Sequence, residues 1–184
     1  MTRAKEKAER KAKAITLAKT SLAAQALRID DEQKFRELFP SCDVSIKFIW
    51  QRFADEQDVE SDLFSAACYG TLLRKKDDLA KLIVERMITE GVDLQTHRTH
   101  PDYGFTTLMM AAVYCERDVL GIILPLSDTT ATTYDGASAL ELAREGGMDE
   151  NADYIDAFIL SKSEAQMFDD IPIPPPRPIK SIDG

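Results

Sequence analysis

The sequence predicts an all-α fold, and three observations lead there. Glycine and proline number only eight each in 184 residues, too few for a sheet-rich fold with many tight turns. Long stretches are rich in strong helix formers, with apolar residues at helical spacing. From residue 58 onward the chain begins to resemble itself, two of its copies at one shared offset. The expected architecture is a short helical repeat solenoid, preceded by N-terminal helices and followed by a proline-rich, extended C-terminal tail.

The elements follow in chain order. Residues 1–28 read as one long helix of Ala, Lys, Glu and Leu. Its first half has only alanines for apolar groups after Met1 and should be solvated. Its second half carries a narrow stripe, Ile15, Ala18, Leu22 and Ala26, which is expected to pack. Residues 29–57 read as a helical cap or a worn repeat. Asp30 or Asp31 caps a short helix holding Phe35, Leu38 and Phe39, and Pro40 ends it. Ser41 or Asp43 can cap a next helix, where Ile46, Ile49, Trp50 and Phe53 recur at i, i+3, i+4 and i+7. A polar break runs from Asp55 to Asp58.

Residues 58–160 hold the self-similarity. Gly104 and Gly136, Leu108 and Leu140, and Ala111 and Ala143 share one offset of 32 residues. The middle copy reads Asp102-Tyr103-Gly104-Phe105-Thr106-Thr107-Leu108-Met109-Met110-Ala111-Ala112, and the third begins Tyr134-Asp135-Gly136. An earlier copy contains Leu63-Phe64-Ser65-Ala66-Ala67-Cys68-Tyr69-Gly70. It is followed by an amphipathic run and Gly91-Val92-Asp93-Leu94. This pattern resembles the ankyrin repeat: a glycine turn, a capped first helix, an alanine pair, a second helix and a closing Gly-Ala-Asp. Glycine takes the positive φ of the turn, a Thr hydroxyl caps the first helix, and paired alanines let neighbouring helices approach. The sequence departs from the pattern at Met109 and Glu141, where His is usual, at Pro125 inside a second helix, and at Arg144 in an alanine pair.

The resemblance implies a non-enzymatic protein-interaction module that binds through a concave face of turn tips and first helices. That face would carry Tyr69, Asp102, Tyr103, Phe105, Tyr114, Tyr134, Asp135 and Glu145, an aromatic and acidic stripe. Rigid aromatics supply contact area, and tyrosine adds a hydrogen bond. The alternative for Phe105 and Tyr114 is the core between copies. The implied partner is a protein with a basic patch. Two rival roles stand beside a scaffold or adaptor: an inhibitor or immunity-type protein that blocks an enzyme, and a structural subunit whose terminal arms wrap its neighbours.

Residues 161–184 read as the tail. Pro172, Pro175 and Arg177 form a Pro-x-x-Pro-x-Arg string, a polyproline II ligand for a proline-binding domain or simply a stiff extension.

Charge narrows the function further. With 23 basic and 32 acidic side chains the net charge is −9, the wrong sign for a bare nucleic-acid binder. Residues 1–14 carry a net +4, which leaves −13 on the rest. No stretch is apolar enough to span a bilayer, and the charged N-terminal stretch, without an apolar run, is not expected to act as a secretory signal. Three scattered cysteines, Cys42, Cys68 and Cys115, suit a reducing, cytoplasmic setting. His97 and His100 are expected in an exposed loop. With no cysteine pair to support them they imply no metal site, and no cofactor motif is present.

Overall fold

The computed structural model describes residues 3–50, 59–74, 77–100 and 103–169. The chain is mostly helical, with one short antiparallel strand pair among the described residues. Helix α1 spans Arg3–Arg28 and packs on the two helices that follow it in the fold, α2 (Glu32–Leu38) and α3 (Leu63–Arg74). Its first half is exposed, in line with its composition. The buried face of its second half is Thr20, Ala23, Ala24, Ala26 and Leu27. Of the expected stripe only Ala26 is buried, while Ile15, Ala18 and Leu22 point to solvent. The small side chains win because they let α1 approach its neighbours closely. Thr20 is tolerated there because it is satisfied: its hydroxyl donates to the Thr16 carbonyl at 2.9 Å and accepts from the Asp43 amide at 3.2 Å.

Asp30 ends α1 at φ 60°, and the Asp31 amide returns to the Ala26 carbonyl at 2.9 Å, a left-handed cap. The Asp31 carboxylate then accepts from the Lys34 amide at 2.9 Å and starts α2. A 3-10 turn containing Pro40 closes this segment. Arg86 of α4 (Asp77–Thr89) clamps it, donating to the carbonyls of Phe39 and Cys42 at 2.7 and 3.0 Å.

The expected helix over 46–53 is not formed in its described part, residues 46–50; residues 51–53 lie outside the described residues. Phe48–Trp50 is instead a strand, β1, paired antiparallel with β2 (Val59–Ser61) in the register Ile49 to Glu60. Phe48 is buried and Ile49 exposed, the period of two that a strand requires. β-branched and aromatic side chains in succession favour that pleated ladder over a helix. The polar break at 55–58 lies outside the described residues.

Three helix pairs complete the fold: α3 with α4, α5 (Thr107–Tyr114) with α6 (Arg117–Ile123), and α7 (Ala139–Glu145) with α8 (Asp149–Asp169). First helices contact first helices and second contact second, in two parallel rows. Ala66, Ala67, Ala111, Ala112 and Ala143 are all buried at the contacts of the first row. Phe64, Leu79, Ile83, Met87, Leu108, Leu120 and Ile123 fill one continuous core between the rows. Asn151 ties the last pair to the one before it, donating to the Ala112 and Cys115 carbonyls at 3.0 and 2.9 Å. Helix α8 continues to Asp169, past the boundary at 160 expected from sequence.

Candidate protein-binding surface

Two turns precede α5 and α7, and both are built alike. Gly104 and Gly136 take φ of 73° and 90°, which an L-residue avoids. Thr106 and Ser138 then cap the helices, accepting from the amides of Met109 and Glu141 at 3.2 and 3.3 Å. The Glu141 carboxylate completes its box on the Ser138 amide at 2.8 Å, a bond that lowers its pKa. The two tips are joined: the Tyr134 amide donates to the Tyr103 carbonyl at 3.4 Å. The Tyr134 ring lies over Gly104, so close that a Cβ there would meet it at 3.0 Å. Arg98 braces both turns. Its guanidinium donates to the Gly104 carbonyl and to the Thr132 carbonyl, and sits 6.0 Å from the Tyr134 ring centre.

This brings Tyr103 and Tyr134 together as the exposed tips, at 56% and 70% exposure. Asp135 is exposed beside Tyr134. Tyr103 also heads a run of rings that descends from the tip. His100 lies 4.9 Å from Tyr103, Phe105 6.3 Å from His100, Tyr69 6.2 Å from His100, and Tyr114 5.5 Å from Tyr69. Tyr69, Phe105 and Tyr114 are half-buried in this run and back the tip more than they display themselves. Glu145 is exposed at the far end of α7, away from the turns, so it does not join them. Asp102, Pro172, Pro175 and Arg177 lie outside the described residues.

His97 and His100 do not form an exposed loop. His100 is buried within the ring run. His97 donates through Nε2 to Asp62 at 2.7 Å. Asp62 is fully buried and caps α3, accepting from the Ser65 amide at 2.9 Å. It also accepts from the Lys47 ammonium at 2.9 Å and from the Thr99 hydroxyl. Burial alone would raise its pKa. The bond from His97, the charges of Lys47 and His97, and the Ser65 amide outweigh burial and hold the carboxyl below the ordinary range. Four donors engage this carboxylate, so it fastens the strand pair, α3 and the loop before the first turn to one point. Sequence reading missed this cluster and Arg98 alike. The only local signal was a cap-type residue, Asp62, directly before Leu63-Phe64.

Cys68 and Cys115 are buried, with their sulfurs 3.6 Å apart between α3 and the end of α5. Burial and the neighbouring thiol hold Cys68 well above its ordinary pKa, so it stays protonated and a poor nucleophile. Among the described residues no His, Cys, Asp or Glu group of three or more is placed to hold a metal ion. No described helix is long and apolar enough to cross a membrane.

No family model matches the chain, and no curated protein matches it. A likeness is found among solved structures. The chain shares its fold with an immunity protein. That protein is the one in the solved complex with a predatory endopeptidase from Bdellovibrio bacteriovorus. The TM-score is 0.52 at 20% identity, over 73% of this chain and 62% of that one. The chain therefore spans less than two thirds of that protein's length. At this identity the likeness is one of fold.

Proposed function

We propose that this chain is a non-enzymatic, ankyrin-like protein-binding module of the immunity type, which holds a partner enzyme and blocks it. The carrying observation is the pair of braced tips. Tyr103 and Tyr134 stand exposed on rigid turns, joined backbone to backbone, on a fold shared with an immunity protein that is solved bound to an endopeptidase. Preorganised aromatics at the centre of a surface suit an anchor, because little side-chain entropy is lost on binding. Asp135 and the acidic balance of residues 15–184 favour a partner with a basic patch. The two rows of helices and the glycine turns support reading residues 58–160 as ankyrin-type repeats. An adaptor would use the same tips without silencing what it binds.

The test is affinity capture with the full chain from cells of its source, followed by mass spectrometry and an activity titration. An enzyme should be captured and lose its activity at one equivalent of chain. An enzyme captured with activity intact would favour the adaptor role, and a set of many subunits would favour a structural one.

A further inference from the structure

Helix α1 has two apolar faces, and among the described residues only one of them is packed. Thr20, Ala23, Ala24, Ala26 and Leu27 lie on the body, Ala26 at the border with the second face. On the other side Ala8, Ile15, Leu22 and Ile29 recur every seven residues, all exposed. Ile15 is 48%, Leu22 51% and Ile29 63% exposed. Lys11, Ala18 and Gln25 fall between them and are exposed too. The steps alternate three and four residues, the spacing of a coiled-coil seam. It runs for about 30 Å at 1.5 Å per residue. The Ile29 amide still bonds the Gln25 carbonyl at 3.1 Å, so the last position remains in helical register.

We propose that this seam docks an amphipathic helix of a partner, one with apolar residues at the same spacing and acidic residues beside them. The flanks decide the partner's chemistry. Lys5, Lys7 and Lys19 occupy positions beside the seam, and Lys11 lies within it. The acids of the arm, Glu6 and Glu9, fall on other faces of the helix. A second copy of this chain would set these lysines against lysines, alanines, Ser21 or Arg28 in either orientation, with no carboxylate to meet them. A helix lying on a bilayer needs a broad apolar face with large anchors. This seam is narrow, has only Ala18 and Gln25 between its large residues, and has no aromatic ring. An acidic partner helix meets both the apolar row and the charge, and Lys11 and Gln25 fix its register.

The probe is a synthetic four-heptad helix with Ile and Leu in its seam and Glu at the flanking positions. Its binding to the full chain is read by fluorescence anisotropy. The acidic helix should bind, and 0.5 M salt should weaken it. The same helix with Lys flanks should not bind. Ile15→Asp with Leu22→Asp should weaken binding ten-fold or more while melting stays normal, since both side chains are about half exposed. Lys5→Glu with Lys19→Glu should shift preference toward the basic helix. The inference fails if the acidic helix does not bind or if the seam variant binds equally. It also fails if anionic vesicles of phosphatidylcholine and phosphatidylserine are preferred, or if the chain alone dimerises through these residues in sedimentation.

Discussion

Replacing Asp62 by Asn keeps the shape of the cap and removes its charge. The amide oxygen can still accept from the Ser65 amide and the Thr99 hydroxyl. The amide nitrogen, however, would face Lys47 and His97, which both donate to the carboxylate now. Breaking a buried ion pair from one side costs about 3–5 kcal/mol. The Lys47 side chain keeps 21% exposure and can turn toward water, which places the cost near the low end, about 3 kcal/mol. For a chain of this size that is a fall in melting temperature of about 6–12 °C. Urea unfolding followed by circular dichroism measures it directly. The pH dependence supplies an independent check. The folded pKa of Asp62 lies below its unfolded value, so its stabilisation is present above about pH 4 and is lost as pH falls through the folded value. The gap between wild type and Asp62→Asn should therefore narrow below about pH 4. A cost under about 1 kcal/mol, with the acid limb unchanged, would refute the reading of Asp62 as the fastening point.

Gly104→Ala should destabilise by about 1–2 kcal/mol, because alanine is strained at φ 73° and its Cβ meets the Tyr134 ring; thermal melting measures the loss. Asn151→Ala should cost about 2 kcal/mol, since it strips the Ala112 and Cys115 carbonyls of their donor; urea unfolding reads it. Deleting residues 2–14 should leave the melting midpoint nearly unchanged, because the side chains of residues 5–14 are solvated. A drop of many degrees would make the arm part of the core.

What the sequence made legible was local. Gly104 and Gly136 at one offset, each followed two residues later by a hydroxyl cap, mark turns whose chemistry is contained in a few residues. Exposure of Tyr103 and Tyr134 followed from their place on those turns. What was hidden depends on residues far apart in the chain. Asp62 meets partners 15 and 35 positions away, and Arg98 reaches a carbonyl 34 positions on. His100 gained its burial only when α3 and the next turn closed on it. Two periodic patterns misled. Ile46 to Phe53 matched a helical template, yet Phe48 and Ile49 alternate in and out against β2. In α1 the larger apolar residues read as the core stripe, whereas close packing selected the alanines and left Ile15 and Leu22 outward. Periodicity locates a face without saying what covers it.

The claim that the joined tips are the binding surface is tested most directly by one comparison. Partner capture is quantified for the wild-type chain and for Tyr103→Ala with Tyr134→Ala, with melting recorded on both. Loss of a central interface tyrosine costs about 2 kcal/mol of binding, about thirty-fold, whereas loss of a core ring costs about 3–5 kcal/mol of folding. With both rings more than half exposed, the double variant should melt near the wild type and lose the captured enzyme by thirty-fold or more. Undiminished capture by a folded double variant would contradict the account and place the interface elsewhere on the molecule.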